Sequence, residues 1–214
     1  MNPKQEQFLQ AAGSAVTLLH DPAVAAAWDR PSALAKFGVS GLAGHLARQI
    51  LLVPRLLAQP VPDGAPLSLL DHYAAVPWTG AEPDLDSETN VAARAGGDAE
   101  AAVGATALAT AAGAATAALA AALPTEPADR LVHLPWGPWS LSLDDFLATR
   151  TMEITVHSDD LALSAGVPTP ALPQTVTDTV LGLLVTLAAR KHGPTAVLRA
   201  LSRAERAPAT IAAF

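Results

Sequence analysis

Glu153 and His157 lie four residues apart in the segment Leu143–Ala165, and both residue types are ligands of divalent metals. Ser142 in front of this segment is a common helix N-cap and Gly166 behind it a common helix terminator, so the sequence predicts a helix between them. Side chains at positions i and i+4 lie one turn apart on the same helix face. The Glu153 carboxylate and the His157 imidazole can therefore reach one ion.

The predicted helix carries ionisable and large aliphatic side chains on one arc of roughly 140°, when residues are placed at about 100° intervals. The arc includes Arg150, Glu153, His157 and Asp160 together with Leu147, Ile154 and Leu161. The opposite side carries Thr151, Thr155, Ser158, Asp159 and Ala162. Burying four ionisable groups is costly unless they pair with one another or bind a ligand. We therefore expect the arc to face the core as a shared site, with Asp159 in solvent.

A metal site here needs a third ligand, because an isolated Glu-x-x-x-His pair is common on exposed helices and a catalytic zinc has three protein ligands. His45 is the best candidate, since it lies beside Leu42 and Gln49 on the apolar stripe of a second predicted helix, Gly41–Gln59. Position alone favours a hydrogen-bonded core histidine over a metal ligand. The weaker candidates lie near predicted helix ends or in connections, and they are His20, His72, His133 and His192.

The composition of the 214-residue chain favours an all-α fold. Half of the residues are hydrophobic but only 4% are aromatic, and alanine, the strongest helix former, is abundant while clusters of strand-forming residues are few. The formal net charge is −7, with acidic and basic residues interspersed. This pattern argues against nucleic acid as a partner, because nucleic-acid-binding proteins present a basic patch or stripe.

The chain contains no cysteine, which excludes disulfides, thiolate metal ligands and a cysteine nucleophile. The segment Met1–Gln7 has no basic region followed by an apolar one, so no signal peptide is predicted. The longest apolar stretch, Ala101–Leu123, consists mostly of Ala, Gly and Thr, and we expect it to be too weakly hydrophobic for a membrane span. We therefore expect a cytoplasmic protein without a membrane partner. The oligomeric state is left open, with a homodimer among the options.

Capping residues and turn-forming prolines and glycines divide the chain into four main helices with shorter additions, in one domain that spans residues 1–214. The expected helices besides Leu143–Ala165 are Pro3–Trp28 with an interruption near Asp21-Pro22, Gly41–Gln59 capped by Ser40, Leu67–Ala75, Asp84–Leu123 with a break allowed at Gly96-Gly97, Gln174–His192 and Thr195–Ser202. A Pro- and Trp-rich connection, 124–143, holds Trp136 and Trp139.

Two segments carry a recognisable pattern. They are Gly41-Leu42-Ala43-Gly44-His45-Leu46 and, far downstream, Arg150-x-x-Glu153-x-x-x-His157-x-x-Asp160-Leu161. Together they resemble the mycothiol-dependent maleylpyruvate isomerase N-terminal family, which belongs to the DinB-like superfamily of four-helix bundles. The resemblance covers most of the chain, including the loop 134–137. It implies a bundle in which His45, Glu153 and His157 bind a divalent metal, usually zinc, with open positions for solvent or thiol.

The resemblance also implies thiol chemistry. Mycothiol, bacillithiol or a related low-molecular-weight thiol would act on an electrophilic small molecule by isomerisation, transfer or conjugation. The isomerases carry a second, C-terminal domain that helps to close the active site, and no such domain is expected in this chain. A single-domain thiol transferase is therefore a closer expectation than isomerisation of maleylpyruvate itself. The missing cysteine agrees with this, because the attacking sulfur then comes from a cosubstrate.

Four residues around the expected metal have candidate roles, each with an alternative. Arg150 and Asp160 are the candidate catalytic residues. Arg150 binds a carboxylate of the substrate or cofactor, or else pairs with the glutamate of its own helix. Asp160 orients a metal-binding histidine, or else accepts a hydrogen bond from a loop N–H. Trp136 walls the pocket or simply packs, and together with Gln49 and Arg150 it is a candidate for binding the cofactor.

Three functions are compatible with these residues. The leading one is a metal-dependent thiol transferase or isomerase. The same ligands suit a hydrolase that uses a metal-bound hydroxide, and a bundle without catalysis can serve as a binding or regulatory module. A complete ligand set with an inward Arg150 argues against the last of these.

Overall fold

A computed structural model describes residues 1–76 and 85–214 of the protein. In these residues the chain forms nine α-helices and one two-stranded antiparallel sheet. The helices are α1 (Pro3–Leu19), α2 (Pro22–Ala26), α3 (Val39–Leu57), α4 (Leu69–Ala75), α5 (Glu88–Ala101), α6 (Ala105–Ala122), α7 (Leu143–Ala165), α8 (Gln174–His192) and α9 (Pro194–Ser202). The strands are β1 (Leu131–His133) and β2 (Ser140–Ser142). The predicted all-α fold class is confirmed.

Four helices, α1, α3, α6 and α7, pack against one another as a DinB-like four-helix bundle. The core between them is aliphatic and alanine-rich, and its fully buried members include Phe8, Leu42, Leu46, Ile50 and Leu147. Each such side chain stabilises the fold by about 1.5–3 kcal/mol relative to an exposed position. Helix α5 packs on α3, and α8 packs on α1 and α7. Because α3 and α7 are neighbours in the bundle, the residues expected to bind a metal lie on facing helices.

Helix α7 has the bounds that its flanking residues predict. The Ser142 hydroxyl accepts a hydrogen bond from the backbone N–H of Asp145 at 3.1 Å, which satisfies one of the free donors of the first turn. The helix ends at Gly166, whose φ of 74° lies in the left-handed region that favours glycine. Asp159 is exposed as expected, and its carboxylate accepts a hydrogen bond from the Thr169 hydroxyl at 2.5 Å.

The side of α7 opposite the ionisable arc is more buried than the sequence suggests. Thr151, Ser158 and Ala162 have exposed fractions of 2%, 5% and 0%. The reason is that α1, α2 and α8 pack on α7 besides α3, so the helix contacts protein on most of its circumference. Small side chains such as these allow that close packing, and the Thr151 hydroxyl satisfies itself by donating to the Leu147 carbonyl at 2.8 Å.

Helix α3 begins before the predicted cap. Its N-cap residue is Gly38, and Ser40 lies inside the first turn without a capping hydrogen bond. The chain folds back in front of the helix, where the backbone N–H groups of Val39 and Ser40 donate to the carbonyls of Arg30 and Trp28. These backbone hydrogen bonds satisfy N–H groups at the start of the helix, so a capping serine side chain is not required.

The long predicted helix over residues 84–123 is two helices, and the break is not where the glycine pair suggested. Gly96 and Gly97 lie inside α5, which continues to Ala101, and α6 starts after Gly104. The first residue of the long predicted helix, Asp84, lies outside the described residues. The first predicted helix divides after Leu19, as the Asp21-Pro22 pair indicated.

The Pro- and Trp-rich connection contains a short hairpin that the sequence analysis did not predict. Strands β1 and β2 pair antiparallel with Val132 opposite Leu141, and both of these side chains are buried. Three residues a strand are too few for an alternating pattern to stand out. The hairpin places Trp136 and Trp139 at its turn, where the Leu134 N–H donates to the Trp139 carbonyl at 3.2 Å.

The segment Ala105–Thr125 is long and apolar enough to cross a membrane by length and composition alone, with a mean hydropathy of 1.6. The expectation that this stretch is too weakly hydrophobic was therefore wrong, because many alanines add up to a high mean. One such helix is weak support for a membrane span. Here α6 packs against α1 and α3, with Leu108, Ala112 and Leu119 buried.

Helices α3 and α5 approach each other so closely that only glycine fits at the contact. A Cβ placed on Gly44 would overlap the Gly97 carbonyl, and a Cβ placed on Gly97 would overlap the Gly41 carbonyl. A side chain at either position would push the two backbones apart. The pattern Gly41-x-x-Gly44 therefore sets the distance between the helix that carries His45 and its partner α5.

We expect Gly44→Ala to destabilise the fold by about 1–3 kcal/mol, the usual cost of forcing a group into a filled contact. Gly182→Ala on α8 is the matched control, since a Cβ there meets nothing within 4 Å. It should leave stability unchanged or raise it by up to about 1 kcal/mol, because alanine is the better helix former. Chemical denaturation of both variants measures the difference, and equal stabilities would contradict the close contact.

Candidate metal centre

Helices α3 and α7 bring together the three residues that the sequence analysis singled out as metal ligands. One ligand atom from each of His45, Glu153 and His157 lies within 4.8 Å of the other two. The imidazole rings of His45 and His157 meet edge to face, with their centroids 4.7 Å apart. The side chains of Glu153 and His157 retain exposed fractions of 18% and 15%. The group is therefore set into the bundle surface and not sealed in its core.

The position of His45 depends on the glycine contact between α3 and α5. A Cβ placed on Gly97 would lie 3.1 Å from the His45 backbone nitrogen and 3.2 Å from its Cβ. The backbone of α5 is thus packed directly against the backbone of α3 at His45. The edge of the Phe37 ring closes another side, with its centroid 5.7 Å from that of the imidazole.

His157 is held by a carboxylate on each ring nitrogen. Its Nε2 lies 3.2 Å from Glu153 Oε2, and its Nδ1 donates to Asp160 Oδ2 at 3.0 Å. Burial lowers the pKa of His157, but the hydrogen bonds to Asp160 and Glu153 outweigh it and raise the pKa to about 9. The contact at Nδ1 is the one expected of a residue that orients a ligating histidine.

The other two members of the group are biased toward their metal-binding forms. Burial opposes ionisation of Glu153, yet its hydrogen bond to His157 and the nearby positive charge lower its pKa to about 2. Burial and the charge of His157 lower the pKa of His45 to about 4, so its ring is neutral. Ligating histidines are neutral and ligating carboxylates are ionised.

One polar atom at the centre has no hydrogen bond of good geometry. Within the described residues, His45 Nδ1 is buried without such a bond, while a contact of the ring with the Ala93 backbone raises its pKa. Buried polar atoms normally have partners, so this ring has unused capacity to bind. A neutral imidazole with spare capacity, an ionised carboxylate and a second imidazole form a donor set that fits a divalent metal of the zinc type.

Arg150 is buried beside the three residues without a direct carboxylate partner. It is 5% exposed, its Nε donates to the Thr149 hydroxyl at 3.0 Å, and its Nη1 donates to Gln49 Oε1. Its guanidinium lies 5.2 Å from the ring centre of Trp136 and 5.5 Å from that of Phe146, which are cation–π distances. Among the described residues no ion pair joins Arg150 to Glu153, so the alternative of a pair along the helix is not seen.

Gln49 connects Arg150 to His45. Its Nε2 donates to the His45 carbonyl at 2.9 Å and lies 3.3 Å from His45 Nε2. With its Oε1 accepting from Arg150 and only 2% of the residue exposed, the whole amide is used inside the protein. Binding of a cofactor by Gln49 stays a prediction, and its visible contacts are those of a residue that holds His45.

Three side chains near the centre had no assigned role in the sequence analysis, where His72 was named only as a weaker metal-ligand candidate. Tyr73 on α4 is 3% exposed, and its pKa is raised by burial and then by the charge of Glu153. His72, 1% exposed, accepts a hydrogen bond from Trp139 Nε1 at 3.0 Å, and burial lowers its pKa to about 4. Phe37 is the third. None had a spacing relative to the ligands that could have indicated it, because each reaches the centre through tertiary packing.

The expected cofactor-binding tryptophan lies at the edge of the centre. Trp136 stacks on Arg150, and in the part of the chain that the structure describes its indole Nε1 is buried without a hydrogen-bond acceptor. Trp139 packs against His72 instead. The two tryptophans of the hairpin turn thus have different neighbours, and Trp136 is the one that contacts a site residue.

A family model described as the mycothiol maleylpyruvate isomerase N-terminal domain matches residues 9–162, which is well over half of the chain. The match begins in α1 and ends in α7, so it includes His45, Glu153 and His157, while α8 and α9 lie beyond it. No curated protein sequence matches the chain, and no solved structure does.

We expect purified protein to bind about one divalent ion per chain, most strongly zinc, and His45→Ala and His157→Ala each to lower the metal content about tenfold or more. His133→Ala is the control, because His133 is exposed on β1 away from the three ligands. Metal analysis after dialysis gives the answer. Full metal content in either ligand variant would remove that residue from the site.

We also expect metal affinity to rise with pH up to about 9. In the metal-free protein His157 keeps a proton at neutral pH because its pKa is about 9, and a metal must displace that proton from the ring nitrogen that binds it. Affinity should therefore increase roughly tenfold per pH unit between about 7 and 9, with about one proton released per ion. Calorimetry in two buffers of different protonation enthalpy measures the release. Asp160→Asn should weaken the pH dependence, and an affinity independent of pH would contradict the assignment.

Proposed function

Since the chain belongs to the mycothiol maleylpyruvate isomerase N-terminal domain family of the DinB-like superfamily, we propose that it is a divalent-metal-dependent enzyme that transfers or isomerises an electrophilic small molecule with a low-molecular-weight thiol. Mycothiol is the first choice for that thiol. The observation that carries the proposal is the convergence of His45, Glu153 and His157 within the region that the family match covers.

The three proposed ligands supply two neutral imidazoles and one carboxylate to a bound ion. A divalent metal held there keeps a formal charge of +1 and lowers the pKa of a thiol or water that binds it. The centre retains some exposure at Glu153 and His157, which leaves an approach for a small molecule. The pKa directions of His45 and Glu153 agree with the metal-ligand assignment, because His45 is neutral and Glu153 is ionised at neutral pH, whereas His157 has to lose a proton when a metal binds.

The surrounding residues hold the ligands in place. Asp160 accepts a hydrogen bond from the Nδ1–H group of His157, which directs Nε2 of the ring toward Glu153. Arg150 fixes the amide of Gln49, whose Nε2 is thereby turned toward His45. We propose that Arg150 acts on His45 through Gln49 and that its positive charge also attracts an anionic group of a substrate or thiol.

The reacting sulfur has to come from outside the chain. The protein has no cysteine, and its two methionines are thioethers that do not form thiolates. A soluble thiol is therefore the only source of a sulfur nucleophile at this centre. Trp136 and Phe37 border the centre with aromatic surface and are proposed to contact the non-sulfur parts of the bound molecules.

The proposal includes the extent and setting of the protein. We propose that residues 1–214 form one domain, because α8 packs on α1 and α7 and buries Val176, Val180 and Leu187. We also propose a cytoplasmic location, where low-molecular-weight thiols are kept reduced. Neither nucleic acid nor a membrane is a partner in this proposal.

We expect mycothiol to protect the metal-loaded protein against heat, because a ligand that binds only the native state stabilises it. At about 100 times its Kd the gain is about 2.7 kcal/mol, which for a chain of this length raises the Tm by roughly 5–10 °C. The oxygen analogue of mycothiol should give a much smaller shift. Differential scanning calorimetry with mycothiol, bacillithiol and glutathione, each beside its oxygen analogue, makes the comparison.

The controls for this experiment are metal-free protein and Glu153→Gln, in which the preference for sulfur should shrink with the loss of a ligand charge. Equal shifts for each thiol and its oxygen analogue would overturn the proposal. If neither the thiols nor their oxygen analogues raise the Tm strongly, and the protein hydrolyses an ester in a metal-dependent way, the results would instead favour the hydrolase that the same ligands can support.

A further inference from the structure

A pocket of about 210 Å³ lies between α4, the last turns of α8 and the C-terminal residues. Its apolar wall consists of Leu70, Tyr73, Ala74, Leu187 and Ala213. The C-terminal segment is fixed over it by two contacts. His192 Nε2 donates to the Ala212 carbonyl at 2.8 Å, and the Phe214 ring lies 6.1 Å from the ring of Tyr73. The pocket is therefore built from elements far apart in the sequence.

The remaining wall of the pocket is positively charged. Arg190 and Lys191 both line it, and in the described residues neither makes an ion pair with a carboxylate. Arg190 uses Nη1 to donate to the Leu70 carbonyl at 2.8 Å, which turns the guanidinium toward α4 and leaves other N–H groups to donate.

A position in the last turn of a helix offers another reason for basic residues, since cations stabilise a helix C-terminus. Stabilisation of the helix C-terminus does not account for the apolar wall, or for the turn of Arg190 toward α4. A guanidinium and an ammonium above an apolar cavity match a molecule that has a carboxylate at one end and a hydrocarbon body.

We propose that this pocket is a second binding site, for small apolar carboxylates, with the carboxylate held by Arg190 and Lys191 and the hydrocarbon body against Leu187 and Ala74. The site uses none of the proposed metal ligands. It also depends on α8 and the C-terminal residues, which lie beyond the family match at residues 9–162. Tyr73 forms a wall of the pocket while the charges of Glu153 and Arg150 act on its phenol, so the site is next to the metal centre.

The experiment titrates hexanoate and the neutral analogue hexanamide into the full-length protein, metal-loaded and metal-free, by isothermal calorimetry and by NMR of labelled protein. We expect hexanoate to bind at least about tenfold more tightly than hexanamide, as one lost charge-assisted hydrogen bond implies. The largest chemical-shift changes should fall on residues that line the pocket. Removal of the metal should leave the affinity unchanged.

Three variants test the geometry. Arg190→Gln with Lys191→Gln should weaken hexanoate about tenfold or more while leaving hexanamide unchanged. Arg199→Gln with Arg203→Gln, which removes the same number of charges at exposed positions on and just after α9, is the matched control and should have no effect. Ala74→Phe keeps both cations but fills the cavity from an exposed position, and it should abolish binding of both probes.

The proposal is overturned if hexanoate and hexanamide bind equally, if neither binds, or if the variant with Arg190→Gln and Lys191→Gln behaves like the control with Arg199→Gln and Arg203→Gln. It is also overturned if removal of the metal abolishes hexanoate binding, because the carboxylate would then be a ligand of the metal. These outcomes are independent of the thiol experiment. The pocket can fail while thiol protection is observed, and thiol protection can fail while hexanoate binds the metal-free protein.

Discussion

Partial burial of the Glu153 carboxylate in the surface of the bundle is the constraint on which the rest of the centre depends. An ionised group in such surroundings is stable only if neighbouring charges and hydrogen bonds replace the water it has lost. His157 supplies the compensating proton, and Asp160 on its other nitrogen keeps that ring cationic in the metal-free chain. The repulsion between the two rings then adds to burial in keeping His45 neutral. Two carboxylates thus keep His157 cationic, and burial together with that charge keeps His45 neutral.

A second buried charge, that of Arg150, is compensated in a different way. Its partners are a hydroxyl, an amide and two aromatic faces, none of which carries a formal charge. Burial lowers the pKa of Arg150, and the negative charge of Glu153 partly opposes this by raising it. Two opposite charges therefore lie one turn apart on α7 without touching, and each makes polar contacts to α3 or to its own helix. Removing Gln49 would leave a buried donor unsatisfied, at a cost of about 1–3 kcal/mol.

The sequence predicted the parts of the molecule that local physics determines. The bounds of α7 and α8 follow from Ser142, Gly166 and Gly193, and the inward direction of Glu153 follows from helical periodicity. The start of α3 and the break before α6 depended on contacts between distant backbone segments, and capping residues in the sequence do not indicate such contacts. The sites of His72 and Tyr73 depended on the packing of the short helix α4. Burial of both sides of α7 had the same origin, because the number of neighbours around a helix is a property of the fold.

The hydrogen bond between Gln49 and Arg150 joins residues 101 positions apart, and the proposed ligands, from His45 to His157, span a somewhat longer interval. An ion held by both helices would act as a cross-link that closes a loop containing half of the protein, and restraint of the unfolded chain grows with the length of the loop closed. It also follows that a growing polypeptide cannot assemble the centre until α7 has emerged from the ribosome. A metal bound by these residues would therefore join the bundle only after α1 to α6 have been synthesised.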